Sequence, residues 1–361
     1  MNQVVAKGQR WQFLDAIRGI AALAVVLQHS LWFASPHLET FFATLWSPGR
    51  FGVVAFFIVS GFIVPRSLEL KGDVKGFWIS RFWRLFPAYW FSLFAFAFLA
   101  AIGVETYTQA NLHSPIHWIA NLSMMHGLIR IPDINPVSWT LGLEMVLYGA
   151  ITIAFVRGFI HRTWAISLSI LGLIVVSSVL FPMFLHIRFP AGASAVFGSI
   201  LAGLALYRWF SGSASRRDAI AITFLCMAVT VGSSIINYSP VRVSGDPLQP
   251  TQFCAISSVI TGYAFFLAFL AMKDRSFPNA FLWLGKISYS LYLLHPLALV
   301  IIPAGGNPFV TVPSQVGLSI LLAWLGYRFV EVPSLEIGKR SLAKRNAPQA
   351  EPERDVVKAV A

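Results

Sequence analysis

The sequence predicts an all-α, polytopic membrane protein with about ten transmembrane helices and both termini in the cytoplasm. Hydrophobic residues make up 57% of the 361 residues and charged residues only 12%, which is about half the charged fraction of an average soluble domain. The formal net charge is +12, and the distribution of the cations along the chain predicts the orientation. The composition excludes a pair of soluble domains, a disordered chain and a disulfide-stabilised scaffold.

Ten mostly apolar segments approach the roughly 20 residues that a helix needs to cross a bilayer. We expect them at residues 14–33, 47–65, 86–104, 137–156, 164–184, 190–209, 218–236, 252–272, 287–303 and 312–331. Each should be a helix, because lipid-exposed backbone must satisfy its own hydrogen bonds. Residues 1–338 should therefore form one membrane domain, and we expect the charged cytoplasmic tail at 339–361 to be disordered.

The lysines and arginines fall almost entirely on the inner side when the N terminus is placed in the cytoplasm. Of the 27 lysines and arginines, only Arg50, Arg130, Arg188 and Arg242 lie in outer segments. One additional or missing helix would disturb this alternation for every later loop, so the pattern supports ten spans. The positive charge is therefore a topology signal and does not indicate nucleic-acid binding.

Three segments need a separate interpretation. The first span resembles a secretory signal peptide, but Asp15 and Arg18 near its start favour a retained helix. Residues 66–85 are basic and aromatic, and they should form a helix on the inner membrane surface. Residues 113–130 have an apolar stretch that is too short to cross a bilayer, so they should lie on the outer face or dip into it.

Ionisable side chains inside predicted spans are functional candidates, because placing them in lipid is costly. Arg18 and His29 are eleven residues apart in the first span, so both project from one helix face about 16 Å apart along the axis. Glu144 in the fourth span has a similar estimated depth to His29, and a carboxylate there could orient the ring and raise its basicity. The alternatives are pairing of Arg18 with Asp15 at the helix end and a helix-packing ion pair for Glu144.

Two further candidates lie in the last two spans. His295 lies in the middle of the ninth span and is followed by Pro296, which frees a backbone carbonyl in the preceding turn for a nearby side chain. For His295, a structural and a functional role remain open. Arg328 and Glu331 are three residues apart at the end of the tenth span, which is typical of an end-of-helix ion pair.

Arg81 and Arg84 are also three residues apart, on the inner side. Two guanidinium groups on one helix face suit a phosphate-bearing ligand, and contact with lipid headgroups is the alternative. His113 and His117 are four residues apart, but no carboxylate or cysteine has metal-ligand spacing, so we expect no metal site. The polar residues suggest a path across the membrane, which would suit either an enzyme or a transporter.

Six motifs in order resemble the acyltransferase-3 family of integral-membrane acyltransferases, from about residue 13 to 339. The first motif, residues 14–23, contains Arg18. His29 follows Arg18 after ten intervening residues, which is the spacing typical of the family. Met145 is a departure, because the family commonly has a second acidic residue there. The other five motifs are residues 56–62, 81–87, 138–144, 285–296 and 327–333.

The resemblance implies transfer of an acyl group, usually acetyl, from cytoplasmic acyl-CoA to a carbohydrate hydroxyl. Acceptors in the family include exopolysaccharide, lipopolysaccharide O-antigen and peptidoglycan, which implies location in a bacterial inner membrane. The resemblance also implies that Arg18 and His29 form the essential pair. Arg81 and Arg84 match the family's basic motif, and Glu144 matches its acidic motif.

The resulting hypothesis is an acetyl-CoA-dependent O-acetyltransferase with no bound cofactor, in which acetyl-CoA is the donor substrate. Arg81 and Arg84, with Arg18, would hold the CoA phosphates, and His29 would act as general base with Glu144 orienting it. Transfer through an acyl-histidine is a variant of this mechanism. The expected partners are a carbohydrate or lipid-linked glycan acceptor, the lipid bilayer and polysaccharide-assembly proteins.

Two other functions compete with this hypothesis. The first is a transporter that moves a lipid-linked sugar or an acyl donor without chemistry. The second is a membrane partner in a polysaccharide-assembly complex. Labelled acetyl-CoA distinguishes them, because only an enzyme moves the label onto glycan.

Overall fold

The protein is a bundle of helices in the computed structural model, which describes residues 11–32, 34–104, 114–184, 186, 191–238 and 250–346. Ten helices in these ranges are long and apolar enough to cross a membrane, and the same ranges contain no strand. The predicted all-α class and number of spans are therefore confirmed. The cytoplasmic location of the termini stays a prediction.

The described chain folds into helices that we number α1 to α13. In chain order they are Gln12–Trp32, Pro36–Thr44, Pro48–Lys71, Val74–Ala101, Pro115–Leu122, Trp139–Val156, Thr163–Phe184, Ala191–Phe210, Arg216–Asn237, Gln252–Ala271, Asn279–Ile301, Pro308–Gly326 and Val332–Asn346. A 3₁₀ turn, His126–Leu128, lies between α5 and α6, and a π turn, Tyr327–Glu331, joins α12 to α13.

The inner-surface helix predicted at residues 66–85 is not a separate element, so this prediction is wrong. Its first part is the end of α3, which stops at Gly72 in the left-handed conformation with φ of 61°. Its second part is the start of α4, which Asp73 caps by accepting hydrogen bonds from backbone N–H groups of the first turn. The segment has a basic composition because several of its arginines face the interior of the bundle.

Two short helices lie between the spans. Helix α2 was not predicted, although Ser35 and Pro36 are a favourable start: the Ser35 hydroxyl accepts from the backbone N–H of His37 at 3.2 Å, and proline suits the first helical position. Helix α5 lies within residues 113–130, and the expected location of this segment at the outer face stays a prediction.

The predicted disorder of the tail from Lys339 is wrong for its first part. Helix α13 continues to Asn346 and packs against α4. Near the end of α13, Arg345 Nη1 lies 2.5 Å from Asp73 Oδ2. This ion pair connects α13 to the turn between α3 and α4. The remainder, 347–361, lies outside the described residues.

Helix α1 packs closely against α11 at the centre of the bundle. A Cβ atom on Gly285 would lie 2.1 Å from the carbonyl oxygen of Asp15, and a Cβ atom on Gly19 would also meet backbone, at 2.6 Å. Small residues let helix backbones approach in this way. The close approach brings His29 on α1 and His295 on α11 into contact.

Candidate active site

Four arginines from three helices line one cavity of about 380 Å³. Arg18 comes from α1, Arg66 from α3, and Arg81 and Arg84 from α4; Glu144 from α6 also faces the cavity. The remaining wall is formed by apolar, aromatic and hydroxyl-bearing side chains that include Phe56, Ser60, Val64, Thr140, Ser288 and Tyr292. The fold thus brings together charged residues from four helices, α1, α3, α4 and α6.

Two of these arginines lie against aromatic rings. The guanidinium carbon of Arg81 is 5.2 Å from the ring centre of Phe77 and 5.3 Å from that of Tyr148, and the guanidinium carbon of Arg66 is 4.3 Å from the ring centre of Trp11. Arg81 Nε and Arg66 Nη2 are buried and have no hydrogen-bond partner within the described ranges. Because buried donors without acceptors are costly, these atoms suit a ligand that carries several anionic oxygens.

Glu144 belongs to the cavity, and no hydrogen bond joins it to His29 in the described part of the chain. Tyr148, one turn further along α6, donates a hydrogen bond to Glu144 Oε1, and Arg18 interacts electrostatically with Glu144. The expected orientation of the His29 ring by Glu144 is therefore wrong. A similar depth along two helices does not fix the direction in which each side chain points.

His29 forms a hydrogen-bonded pair with His295 beside the cavity. His29 Nδ1 lies 2.9 Å from His295 Nε2, and the two ring planes differ by 13°. His295 is fully buried, and its Nδ1 lies 2.9 Å from the carbonyl oxygen of Tyr292. Tyr292 lines the cavity and its ring centre is 6.2 Å from that of His295. The histidine pair thus adjoins the cavity wall.

A π turn directs Glu331 into the bundle and leaves Arg328 exposed. Glu331 is buried, accepts a hydrogen bond of 2.8 Å from Ser290 Oγ and interacts electrostatically with Arg84. The expected ion pair of Arg328 with Glu331 is wrong, because the wider π turn changes the three-residue spacing on which it depended. Glu331 instead compensates part of the positive charge of the cavity arginines.

Histidine and carboxylate side chains do not gather into a metal site in the residues described: no group of three potential ligands occurs there. His113 lies outside these residues. His126 is buried, with its Nε2 2.9 Å from Asp133 Oδ1 and 3.1 Å from Ser138 Oγ. These contacts stabilise the conformation of the loop that precedes α6.

The sequence interpretation missed three residues of the site: Arg66, Tyr148 and Tyr292. Arg66 begins the segment predicted to lie on the inner membrane surface, and a sequence does not distinguish a cation at that surface from one that faces a cavity. Tyr292 could have been found, because it precedes His295 by three residues and shares its helix face.

Comparison of the sequence with protein families gives one match. The family model of acyltransferase-3, described as an acyltransferase domain, matches residues 11–328. The chain belongs to this family, as its motifs predicted.

Three relatives are named as acetyltransferases. "Putative peptidoglycan O-acetyltransferase YrhL" of Bacillus subtilis is 26% identical over 92% of this chain and 56% of its own length. "O-acetyltransferase OatA" of Staphylococcus aureus is 24% identical over 91% of this chain and 58% of its own length. "Putative acetyltransferase ORF330" of Acidianus two-tailed virus is 24% identical, with 78% of this chain and 81% of its own length covered. The chain thus spans little more than half of the first two relatives, and no solved structure matches it.

Proposed function

We propose that this chain is a membrane O-acyltransferase that transfers an acetyl group from acetyl-CoA to a hydroxyl group of a cell-surface carbohydrate. The observation that carries the proposal is a cavity lined by four arginines beside a histidine pair. Arginines bind phosphate groups, and a neutral histidine can accept the proton of a hydroxyl group. Membership of the acyltransferase-3 family and the names of the relatives support the same reaction.

The cavity supplies the groups that would hold the donor. The phosphates of a CoA molecule carry several anionic oxygens, and guanidinium groups bind such oxygens in bidentate fashion. Arg81 and Arg84 would bind these phosphates, with Arg18 and Arg66 completing the cationic wall. The excess of lysine and arginine in the predicted inner loops supports entry of the donor from the cytoplasm.

The histidine pair supplies the base. His29 would take the proton from the acceptor hydroxyl while the hydroxyl oxygen attacks the thioester carbonyl carbon. The carbon–sulfur bond then breaks, the new ester leaves with the carbohydrate, and His29 returns the proton to the CoA sulfur. Glu144 and Glu331 would reduce the repulsion among the arginines and take no part in this proton transfer.

Peptidoglycan is the first acceptor to test, because the Bacillus subtilis relative is named as a peptidoglycan O-acetyltransferase. A lipid-linked glycan precursor is the second, since it would present its sugar at the membrane surface. Both acceptors agree with a multi-pass protein of a bacterial inner membrane.

The test uses vesicles that contain the purified protein, acetyl-CoA labelled in the acetyl group, and peptidoglycan or its lipid-linked precursor. We expect alkali-labile label on the glycan with the wild type and no label with His29→Ala, although that variant inserts normally. Movement of unchanged acetyl-CoA or unchanged lipid-linked glycan across the vesicle membrane would instead show a transporter. Full acetylation by the His29→Ala protein would contradict the assignment and would favour a partner role.

A further inference from the structure

We propose that His295 is a positioning residue that fixes the tautomer of His29, through a hydrogen-bond relay that begins at the carbonyl group of Tyr292. Pro296 makes this carbonyl available. The relay directs the unprotonated nitrogen of His29 away from His295, so that it can act as the base. The catalytic consequence rests on the proposed function, whereas the tautomers themselves can be measured without any activity.

The relay begins with a missing backbone donor. In an α-helix each backbone N–H donates to the carbonyl four residues earlier, and Pro296 has no N–H, so the carbonyl of Tyr292 lacks its usual partner. His295 Nδ1 lies 2.9 Å from this oxygen and 3.2 Å from the carbonyl oxygen of Leu291. Carbonyl oxygens only accept hydrogen bonds, so His295 must carry a proton on Nδ1 and donate it.

The second step concerns the other nitrogen of His295. Its side chain is fully buried, and no carboxylate forms an ion pair or hydrogen bond with it in the described residues. A charged imidazolium would be costly under these conditions, so His295 is neutral. A neutral ring with its proton on Nδ1 has a lone pair on Nε2. His295 Nε2 is therefore an acceptor.

The third step sets the state of His29. His29 Nδ1 lies 2.9 Å from this acceptor, so Nδ1 must carry the proton and donate it. The near-parallel ring planes, 13° apart, allow the bond to lie close to both planes. The remaining nitrogen, Nε2, then holds the lone pair, and it forms no hydrogen bond to protein within the described residues. Nε2 is thus the base nitrogen.

His295 thus occupies the position that a carboxylate takes in a Ser-His-Asp triad, where the third residue holds the base in its reactive tautomer. His295 differs from that carboxylate in being uncharged. A neutral imidazole and a neutral backbone carbonyl orient the base without adding a negative charge to the apolar centre of the bundle. Glu144 is not needed to orient His29 and instead interacts with Arg18 in the cavity.

Nitrogen NMR of the protein tests the relay directly. The chain contains eight histidines, and the spectrum of ¹⁵N-histidine-labelled protein in detergent can be assigned by comparison with the His29→Gln variant. We expect neutral His29 with its proton on Nδ1 and neutral His295 with its proton on Nδ1. A proton on Nε2 of His29, or a charged His295, would overturn the proposal. This result does not depend on any activity, so it is separate from failure of the proposed function.

Two substitutions of His295 test the catalytic consequence. Glutamine has an amide oxygen near the position of Nε2 and can accept from His29, whereas asparagine reaches only the position of Nδ1 and can bond only to the Tyr292 carbonyl. We expect His295→Gln to keep kcat within about threefold and His295→Asn to lower kcat about 100-fold, the usual scale for a general base, with KM for acetyl-CoA unchanged in both. The exposed residue His161 provides the control substitution, His161→Gln, which should leave kcat unchanged.

Equal kcat values for His295→Gln and His295→Asn would overturn the catalytic part of the proposal. A parallel rise of KM in both variants would also do so, because it would show a structural role at the donor cavity. Pro296→Ala adds a further test, since it restores the backbone donor to the Tyr292 carbonyl without removing any side-chain nitrogen. Its kcat should fall severalfold, and an unchanged kcat would contradict the role of the proline.

Discussion

The arginine cavity and the histidine pair lie side by side and satisfy their polar groups in opposite ways. In the cavity, Arg66 and Arg81 have buried nitrogen atoms without partners among the described residues. In the pair, His295 uses both ring nitrogens within the protein. The cavity therefore has free hydrogen-bond donors for a ligand that carries acceptors. The histidine pair is held in one arrangement by its hydrogen bonds within the protein.

This difference suggests a division of labour between binding and reaction. A cationic site can exchange ligands without losing its shape, because aromatic rings and helix packing hold Arg66 and Arg81 in place. A base needs one protonation state and one direction, and the relay to His29 provides both. Variants on the two sides should therefore affect different kinetic constants.

The largest effect is expected for His29→Ala. Loss of the base should lower kcat by about 10²- to 10⁴-fold, while the dissociation constant of acetyl-CoA stays within about twofold, because His29 does not line the cavity. Steady-state kinetics and equilibrium binding on the same preparation measure both quantities. A large loss of binding would show that the two regions are not separate.

The second effect is expected for Arg84→Ala on the cavity side. Loss of one hydrogen-bonding cation is worth about 1.5–3 kcal/mol, so KM for acetyl-CoA should rise about 10- to 150-fold with a much smaller change in kcat. Arg84→Lys should restore only part of the lost affinity for acetyl-CoA, because lysine keeps the charge but lacks the planar guanidinium group that forms bidentate hydrogen bonds. Arg217→Ala, at an exposed position of α9, is the matched control and should leave KM unchanged.

The third effect concerns the helix contact that holds the pair together. Gly285→Ala places a Cβ atom 2.1 Å from the Asp15 carbonyl oxygen, and relief of such overpacking typically costs about 1–3 kcal/mol. We expect a lower Tm and a reduced kcat, because α1 and α11 must move apart. Gly317→Ala on α12 meets nothing within 4 Å and should leave the Tm unchanged or raise it. Equal Tm values for the two variants would contradict the close contact.

The smallest effect is expected outside both regions, where Arg345 bonds to Asp73. This hydrogen bond holds the pKa of the Asp73 carboxyl below its usual range. The stabilisation is therefore fully present above about pH 4, the ordinary range of an aspartate, and is lost as the pH falls through the lowered pKa. Asp73→Asn keeps a helix-capping side chain and removes the charge, so hydrogen exchange at the end of α13 should rise modestly at neutral pH. The transfer rate should not change.

The sequence predicted the ten spans well because lipid imposes the same length and composition on each of them. It failed at residues 66–85, because a segment whose cations line a cavity has the same composition as a segment whose cations lie at a membrane surface. It also failed for the partner of His29, since helix periodicity gives depth and relative direction within one helix, but not the rotation of α6 relative to α1. The contact with His295 depends on glycine packing between α1 and α11.

Other parts of the site needed local geometry that has no clear sequence pattern. The π turn before α13 moves Glu331 into the bundle, and the residue spacing alone predicts an ordinary α-helix. The role of Pro296 was foreseen in part, because a proline in a span always frees a carbonyl. That the partner would be the adjacent His295 ring followed only from the structure.

The central claim is that the cavity binds the donor and His29 performs the reaction, and equilibrium binding of acetyl-CoA to three purified proteins tests it most directly. The proteins are the wild type, His29→Ala, and the double variant Arg81→Ala with Arg84→Ala. We predict that His29→Ala binds acetyl-CoA like the wild type but transfers acetyl groups at least about 100-fold more slowly, and that the double variant loses binding. Normal binding by the double variant, or loss of binding by His29→Ala, would contradict the account.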